Sequence, residues 1–480
     1  MQIDEYILKL KYIIKNNLIH NKLEKSIIAA KVLSEIYYNY NQVYTDDELE
    51  EYLIKARDLL FYERKQYVVD NNCIFFYDGF GEDLRGLAVV YARALSLLNY
   101  KVVYACPTTG KGKIPHIVSE FNTENTNIIY IDKEISNIER IKQINSIFED
   151  YKPKVAFFYT YPSDVEGAIA FSNNNSSLRF QLDLTDHAFW IGVNAFDYIL
   201  NGREMGASIA YYERGISKGR IIKLDCSPYI NNDEYDKLLP FDIKSEKYIF
   251  TGGSLYKTLG DKGLLYYKTI NDILLNFHDF KFLYAGSGDD TEMKKLIAKY
   301  PNRVFLIDER PDFYELIRNC VLYINSYPMF GGLMMRYAAL AGKIPITLRH
   351  DNDADGILIN QKNLGIEYDN FNDFIAEIHR LLSDDEYRKT RESILKDSVM
   401  TEEDFARNLK MVIEQHRTEY SFENIRRFDT TKFRTEYKKR YTVKCLYQNI
   451  VKKDNIKLFR YFPKEFMMEG LNKIKERMFK

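Results

Sequence analysis

The chain is poor in several residue types whose abundance would mark a class. Among 480 residues there are one tryptophan, five cysteines and seven histidines. The cysteines, at 73, 106, 226, 320 and 445, lie far apart and mostly inside apolar runs. No pair has metal-ligand spacing, so no metal site is expected. An odd count without an export signal fits buried thiols in a reducing cytoplasm rather than a disulfide framework. No apolar run approaches a membrane span. The start, Met1-Gln-Ile-Asp-Glu5, lacks the basic-then-apolar layout of a secretory leader. These absences point to a cytoplasmic location.

Hydrophobic residues make up 46% and charged residues 29%, the proportions of a soluble globular protein. The length exceeds what one ordinary core organises, which implies two or three domains. Thirty-nine tyrosines and thirty phenylalanines are many. Together with the abundance of Lys, Asn and Ile they suggest a biased genome, and no function is attached to them. The net charge of −1 conceals an asymmetry. From Arg426 to Lys480 there are 17 Lys and Arg against 6 Asp and Glu, a net of +11, leaving −12 on the rest. This tail (Lys432, Arg434, Lys438, Lys439, Arg440, then Phe459, Arg460, Tyr461, Phe462) suits an anionic membrane face, an acidic partner protein, or the acidic body of its own chain. Nucleic acid is not expected, since no reading motif accompanies the charge.

Residues 1–66 read as a helical extension, with Thr45-Asp-Asp-Glu48 as a capping box ahead of Leu49–Phe61. From Asn72 the pattern alternates. Strands are expected at 73–77, 102–105, 128–131, 155–159, 181–184 and 221–224, with helices at 84–98 and 134–149. A second series has strands at 248–251, 282–285, 304–307, 321–325 and 344–348, separated by helices near 262–276, 290–300, 311–319 and 332–341. Helices at 371–383 and 402–416 are expected to close that lobe. The fold class is therefore α/β, two Rossmann-like parallel-sheet domains facing a cleft. The expected division is 1–66, 67–243, 244–420 and a basic tail 421–480.

The densest signal is Tyr327-Pro-Met-Phe-Gly-Gly-Leu-Met-Met-Arg-Tyr-Ala-Ala-Leu-Ala-Gly-Lys-Ile-Pro-Ile-Thr-Leu348. It reads as strand end, glycine pair, short helix, glycine stop and buried strand. Gly331 and Gly332 let the backbone approach a ligand, and the helix they open carries partnerless amides and partial positive charge. The amides of Gly331–Leu333 are therefore a candidate diphosphate seat. The alternative is an ordinary βαβ turn that needed small residues.

Several segments in order resemble glycosyltransferases of the two-Rossmann-domain (GT-B) type, particularly the bacterial enzymes of glycan assembly. Thr251-Gly-Gly253 with Asp261-Lys-Gly263 resembles the loop after the first strand of the family's nucleotide domain. Tyr284-Ala-Gly-Ser-Gly-Asp289 resembles its glycine turn, Asn302–Leu306 the strand before the base-binding loop Asp308-Glu-Arg-Pro311, and Ser326–Pro345 the phosphate-binding segment. In the first lobe Asp78-Gly-Phe-Gly81 with Arg85-Gly86 resembles the glycine loop at the cleft. About 350 residues are covered. One departure stands out. Where many retaining members carry two glutamates, this chain has Met329 and Tyr337. That argues against the retaining pattern, favours inversion, leaves ribose recognition without its usual acid, and admits an inactive homologue.

The resemblance implies a nucleotide-sugar donor as substrate, no cofactor and no metal. Diphosphate contacts would come from Gly252, Gly253, Lys257, Lys262, Gly331, Gly332 and Leu333, with Arg336 a further cation. Nucleotide contacts would come from Gly286, Glu309, Arg310 and Tyr337, and acceptor contacts from Asp78, Gly79, Gly81 and Trp190. In Leu182-Asp-Leu-Thr-Asp-His-Ala-Phe-Trp190 a strand runs into an acid, an imidazole and the one indole. His187, oriented by Asp183 or Asp186, is the candidate general base or donor contact, and the pair Asp186–His187 the candidate catalytic group. The competing reading is a structural histidine. Asp83 reads as a helix cap or an acceptor contact. Asp351-Asn-Asp-Ala-Asp355 reads as a polar loop rather than a cation site, since other calcium-loop positions are missing.

The expected activity is transfer of a sugar from a nucleotide-diphosphate donor, a UDP-sugar by preference, to a glycan, lipid-linked or protein acceptor. It would act in the cytoplasm or at the inner membrane face. Two alternatives stay open: a catalytically silent GT-B homologue serving as a partner subunit, and a phospho-alcohol polymer transferase using a CDP-linked donor.

Overall fold

The computed structural model describes residues 3–62, 66–81, 87–107, 116–121, 124–230, 235, 237–350, 356–422 and 424–478. Asp83, Arg85, Gly86, the expected helix start at Leu84 and the acidic loop 351–355 lie outside the described residues. The chain divides into two compact units, 1–224 with 406–480, and 225–405.

The first unit contains a parallel sheet of β1 (Asp70–Asp78), β2 (Lys101–Pro107), β3 (Thr126–Ile131), β4 (Pro153–Tyr159), β5 (Leu178–Leu182), β6 (Tyr198–Asn201) and β7 (Ile221–Lys223), in the order β3-β2-β1-β4-β5-β6-β7. The unbroken apolar runs 73–77 and 155–159 are what a parallel strand covered on both faces requires. They pair in register, Ile74 opposite Val155 and Phe76 opposite Phe157. One face carries a row of rings, Tyr104, Phe76, Phe157 and Phe180, at centroid spacings of 6.0, 6.3 and 5.5 Å. Aromatic pairs at such distances add to area burial, so part of the aromatic excess is core material. Strand β6 and the helices Val165–Asn173 and Glu204–Tyr212 were not legible in the sequence. Every residue of Val165–Asn173 is buried, so no polar face marks its period.

The expected helical extension and basic tail are both integral to this unit. The helices Ile3–Ile19, Leu23–Tyr40 and Asp47–Leu60 share one core with Phe75, Ala156 and Phe158 of the sheet and with Tyr441, Leu446, Leu458 and Phe462 of the tail. The cap of the third helix is Asp46, which accepts from the Leu49 amide, one residue beyond the expected Thr45. The tail folds back on acids of its own chain. Lys452 pairs with Glu35 at 2.6 Å, Lys457 with Glu24 at 3.4 Å, and Arg427 and Arg434 both reach Glu213.

Glu50 joins the extension to the sheet. Its buried carboxylate accepts from the amides of Gly192, Val193 and Asn194 at 2.7, 3.2 and 3.4 Å. Burial pushes its pKa from 4.5 to about 7, against the pull of those three amides. The folded value lies above the unfolded one, so the native state holds the extra proton. The stability from this group is complete below the unfolded pKa and is lost as pH rises through the folded one. Wild-type protein is expected to lose up to roughly 3 kcal/mol between pH 4.5 and 7 from this group. Glu50→Gln should flatten that slope in urea midpoints measured across the interval. An unchanged slope would assign the pH dependence elsewhere.

The second unit contains β8 (Tyr248–Gly252), β9 (Lys281–Ala285), β10 (Val304–Ile307), β11 (Leu322–Ile324), β12 (Pro345–Leu348) and β13 (Glu367–Tyr368), parallel throughout, in the order β10-β9-β8-β11-β12-β13. Helices cover both faces, and Gly342 ends helix Gly332–Leu340 with φ +68°. The unit begins earlier than expected. Ile230, Leu239, Phe241 and Ile243 bury themselves against Tyr248 and Phe250 of its sheet, which moves the boundary back to 225. The second division falls between Phe405 and Ala406, so most of helix Glu402–Gln415 groups with the first unit instead of closing the second. Each sheet reverses its order once, between β1 and β4 and between β8 and β11, and ligands of open α/β sheets bind beyond the carboxyl ends at such points.

Candidate functional site

In the second unit the reversal point gathers the loops after β8, β9, β10 and β11. The turn Leu255–Thr258 meets the 326–331 loop where the Met329 amide donates to the Lys257 carbonyl at 3.1 Å. A Cβ on Gly252 would lie 2.7 Å from the Met334 Cε of helix Gly332–Leu340. A Cβ on Gly286 would lie 1.9 Å from the Gly253 carbonyl oxygen, so only glycine allows β9 to end so close to β8. Ser287 Oγ reaches Glu309 at 3.3 Å, adding the loop after β10.

Asn325, at the end of β11, shapes the glycine loop. Its Oδ1 accepts from the amides of Ser326 at 3.0 Å and Gly331 at 2.9 Å, and its Nδ2 donates to Thr347 Oγ1 at 3.2 Å. The Gly331 amide, expected at the diphosphate seat, is therefore occupied by Asn325. The Gly253 amide donates to the Ala285 carbonyl and that of Gly286 to Ile307, so these glycines shape the crevice rather than offer donors to it. The Gly332 and Leu333 amides, in the first turn of the helix, hydrogen-bond to nothing among the described residues. Half-buried Lys257 has neither hydrogen bond nor ion pair for its ammonium among the described residues, and burial alone lowers its pKa. Lys262 is exposed on the loop whose Asp261 caps helix Leu265–Asn276.

Three expected contributors face inward instead. Tyr337 is buried against Phe313 edge-on at 4.7 Å, and its hydroxyl donates to the Tyr229 carbonyl. Arg310 is buried, bidentate to Asp312 at 2.8 and 2.7 Å, and donates to the Lys237 carbonyl, so its fork is not offered to a nucleotide. Arg336 is held by Asp225, the Cys226 sulfur and the Ile357 carbonyl, so it anchors the start of the unit. Tyr337 and Arg336 are engaged by groups about a hundred residues away, and Arg310 by its near neighbour Asp312 together with the distant Lys237 carbonyl.

In the first unit, Asp78 ends β1 fully buried. It accepts from the Phe80 and Gly81 amides and from the Tyr104 hydroxyl at 2.6 Å, which makes it a turn-former rather than an acceptor contact. Gly79 is buried where a Cβ would strike Thr160 Oγ1 at 1.9 Å, and Gly81 adopts φ +58° against Pro107. Both serve the turn. Trp190 is 4% exposed, donates from Nε1 to Asp183 at 3.0 Å and lies under the Arg214 guanidinium at 4.8 Å. Buried in this way, it supports the loop.

Asp186 is buried and bidentate to Arg203 at 2.5 Å on both arms. Burial works to raise its carboxyl, but the guanidinium prevails and holds it well below the usual carboxylate range. It therefore cannot itself take a proton near neutrality. It lies 3.4 Å from His187 Nδ1 and so can orient the ring. The His187 side chain keeps 30% of its surface exposed. Its carbonyl accepts from Asn41 Nδ2 at 3.0 Å, and its ring meets Phe433 edge-on at 6.0 Å. Arg214 clamps the same loop through the carbonyls of Thr185, Asp186 and Ala188. The extension and the tail thus converge on the end of β5. Sequence reasoning missed Asn41, Arg203, Arg214 and Phe433, and only the acid at 186 hinted that a base must answer it. Among the described residues, no cluster of His, Cys, Asp and Glu could hold a metal.

No family model matches the sequence, and neither does any curated protein. Solved structures do match by shape. A glycosyltransferase from Rickettsia africae ESF-5 aligns with a TM-score of 0.51 at 13% identity, over 73% of this chain and 98% of its own. A UDP-N-acetylglucosamine 2-epimerase aligns with a TM-score of 0.50 at 12% identity, over 75% and 100%. Glycosyltransferases and UDP-GlcNAc 2-epimerases of this kind share the GT-B fold, and the present chain has that fold. At such identities the likeness concerns fold alone.

Proposed function

We propose that the protein is an enzyme acting on a nucleotide sugar, and specifically a glycosyltransferase. It would move a sugar from a UDP-type donor to a glycan, lipid-linked or protein acceptor. The observation that carries this reading is the reversal-point crevice of the second unit. There two helix amides, Gly332 and Leu333, and a lysine, Lys257, none with a partner among the described residues, stand beside glycine-lined loops. Positive charge without an internal partner, close to open backbone, suits the diphosphate of a leaving nucleotide. His187, oriented by ionised Asp186, would serve as the base for the acceptor hydroxyl in an inverting transfer.

A second reading is a silent homologue that binds a partner enzyme. It is favoured by Met329 and Tyr337 standing where many retaining members of the resembled family carry two glutamates, with Tyr337, at the place of the ribose-holding one, turned into the core. Nucleotide titration followed by thermal unfolding tests both, because ligand that binds the native state raises its stability by mass action. A rise with UDP supports the transferase, and none at millimolar UDP refutes it. Incubating UDP-sugars with and without acceptor then separates transfer from epimerisation. His187→Ala should lower turnover on the order of a hundredfold while moving the melting temperature by about 2 °C or less. Wild-type turnover in that variant would remove His187 from the mechanism, and a protein that unfolds would make it structural.

A further inference from the structure

The tail folds back through its ion pairs, but one face of it remains turned outward with an unusual composition. Over 455–470 the inward positions are Asn455, Leu458, Phe462, Glu465 and Glu469, each less than a tenth exposed. Both acids of this stretch therefore point into the protein, Glu465 accepting from the Tyr6 hydroxyl at 2.7 Å. The outward positions are Ile456, Phe459, Met467 and Met468, at 59%, 45%, 58% and 42% exposure, interspersed with Lys457, Arg460 and Lys464. Phe459 and Phe466 meet edge-on at 5.7 Å, which joins the turn Lys453–Leu458 to the helix Pro463–Met478. Arg460 and Lys464 have no ion-pair partner among the described residues.

An ordinary surface helix turns its acids to water and its methionines to the core. This element reverses that assignment, and every formal charge left outside between 455 and 470 is positive. Unbranched methionines and a phenyl ring can bury among acyl chains, while long cationic side chains extend to headgroups. A protein partner of acidic character would meet the cations but offers no general reason for four scattered apolar side chains. We infer that the face formed by Ile456, Phe459, Arg460, Lys464, Met467 and Met468 docks on an anionic lipid surface.

Flotation of the full chain with phosphatidylcholine vesicles, with and without phosphatidylglycerol, tests the inference. Binding is expected only with phosphatidylglycerol and should fade at high salt. The pair Met467→Ser and Met468→Ser, and separately Arg460→Glu and Lys464→Glu, should each weaken vesicle binding roughly tenfold or more, with unchanged thermal unfolding. Equal partition to both vesicle types, no binding to either, or wild-type binding by both variant pairs would overturn it. So would a concentration-dependent dimer that the methionine pair abolishes, since the face would then belong to a second copy. UDP titration of the same variants should be unchanged, which keeps this result apart from that of the nucleotide site.

Discussion

Gly332→Asp is expected to abolish the UDP-induced rise in thermal stability while leaving the protein folded. The backbone at 332 is not left-handed, and an added Cβ would lie 3.1 Å from the Ile357 Cδ1 and 3.2 Å from the Phe330 ring. Both are side-chain ends that can yield by a few tenths of an ångström. A carboxylate in the first turn also suits the positive end of helix Gly332–Leu340, so the fold loses little. The same carboxylate would stand where the anionic ligand needs the amides of Gly332 and Leu333, and would repel it. A weakening of about a hundredfold, close to 3 kcal/mol, is the expected scale. Calorimetric titration with UDP checks it. Unaltered affinity in a folded variant would move the diphosphate away from this helix.

The second large effect is on stability. Gly286→Ala adds a single methyl, yet it would sit 1.9 Å from the Gly253 carbonyl oxygen, which is backbone and cannot rotate away. Gly253 is itself held, its amide donating to Ala285 at 2.9 Å, and Gly286 donates to Ile307 at 2.9 Å. Relief therefore requires parting the ends of β8 and β9, at a cost of about 3 kcal/mol. Urea unfolding should show a lower midpoint, and any remaining native protein should bind UDP poorly because the parted loops line the crevice. By contrast, a Cβ at Gly253 would meet nothing within 4 Å, although φ of +132° disfavours any other residue. Substitution there should cost less than at Gly286, and the reverse order would contradict the packing described.

Much of the architecture was legible because it is written in near neighbours. Runs such as 73–77, 155–159 and 282–285 declare buried parallel strands by themselves, and Gly342 announces a helix end one residue after Ala341. The short strand β6 and the wholly buried helix Val165–Asn173 were missed because neither has a polar side to set a period. The site was legible only in outline. The glycine pair does open a helix at the reversal point of a sheet, but Asn325, six residues earlier, takes one of its amides. His187 and Asp186 are adjacent in space as in sequence. What holds them comes from Asn41, Arg203 and Phe433, up to 246 positions away along the chain.

By itself, then, the order of residues determined two parallel α/β units, their glycine turns and the charge of the tail, since periodicity, turn chemistry and charge are properties of short segments. Tertiary structure alone decided which groups remain open. Asp78, Trp190, Arg310 and Tyr337 look functional as letters, yet each left the surface once satisfied, Trp190 by Asp183 seven residues earlier and the others by groups farther along the chain. Lys257 and the amides of Gly332 and Leu333 found none among the described residues. The physical reason is that a polar group is available to a ligand only when folding brings nothing else to satisfy it.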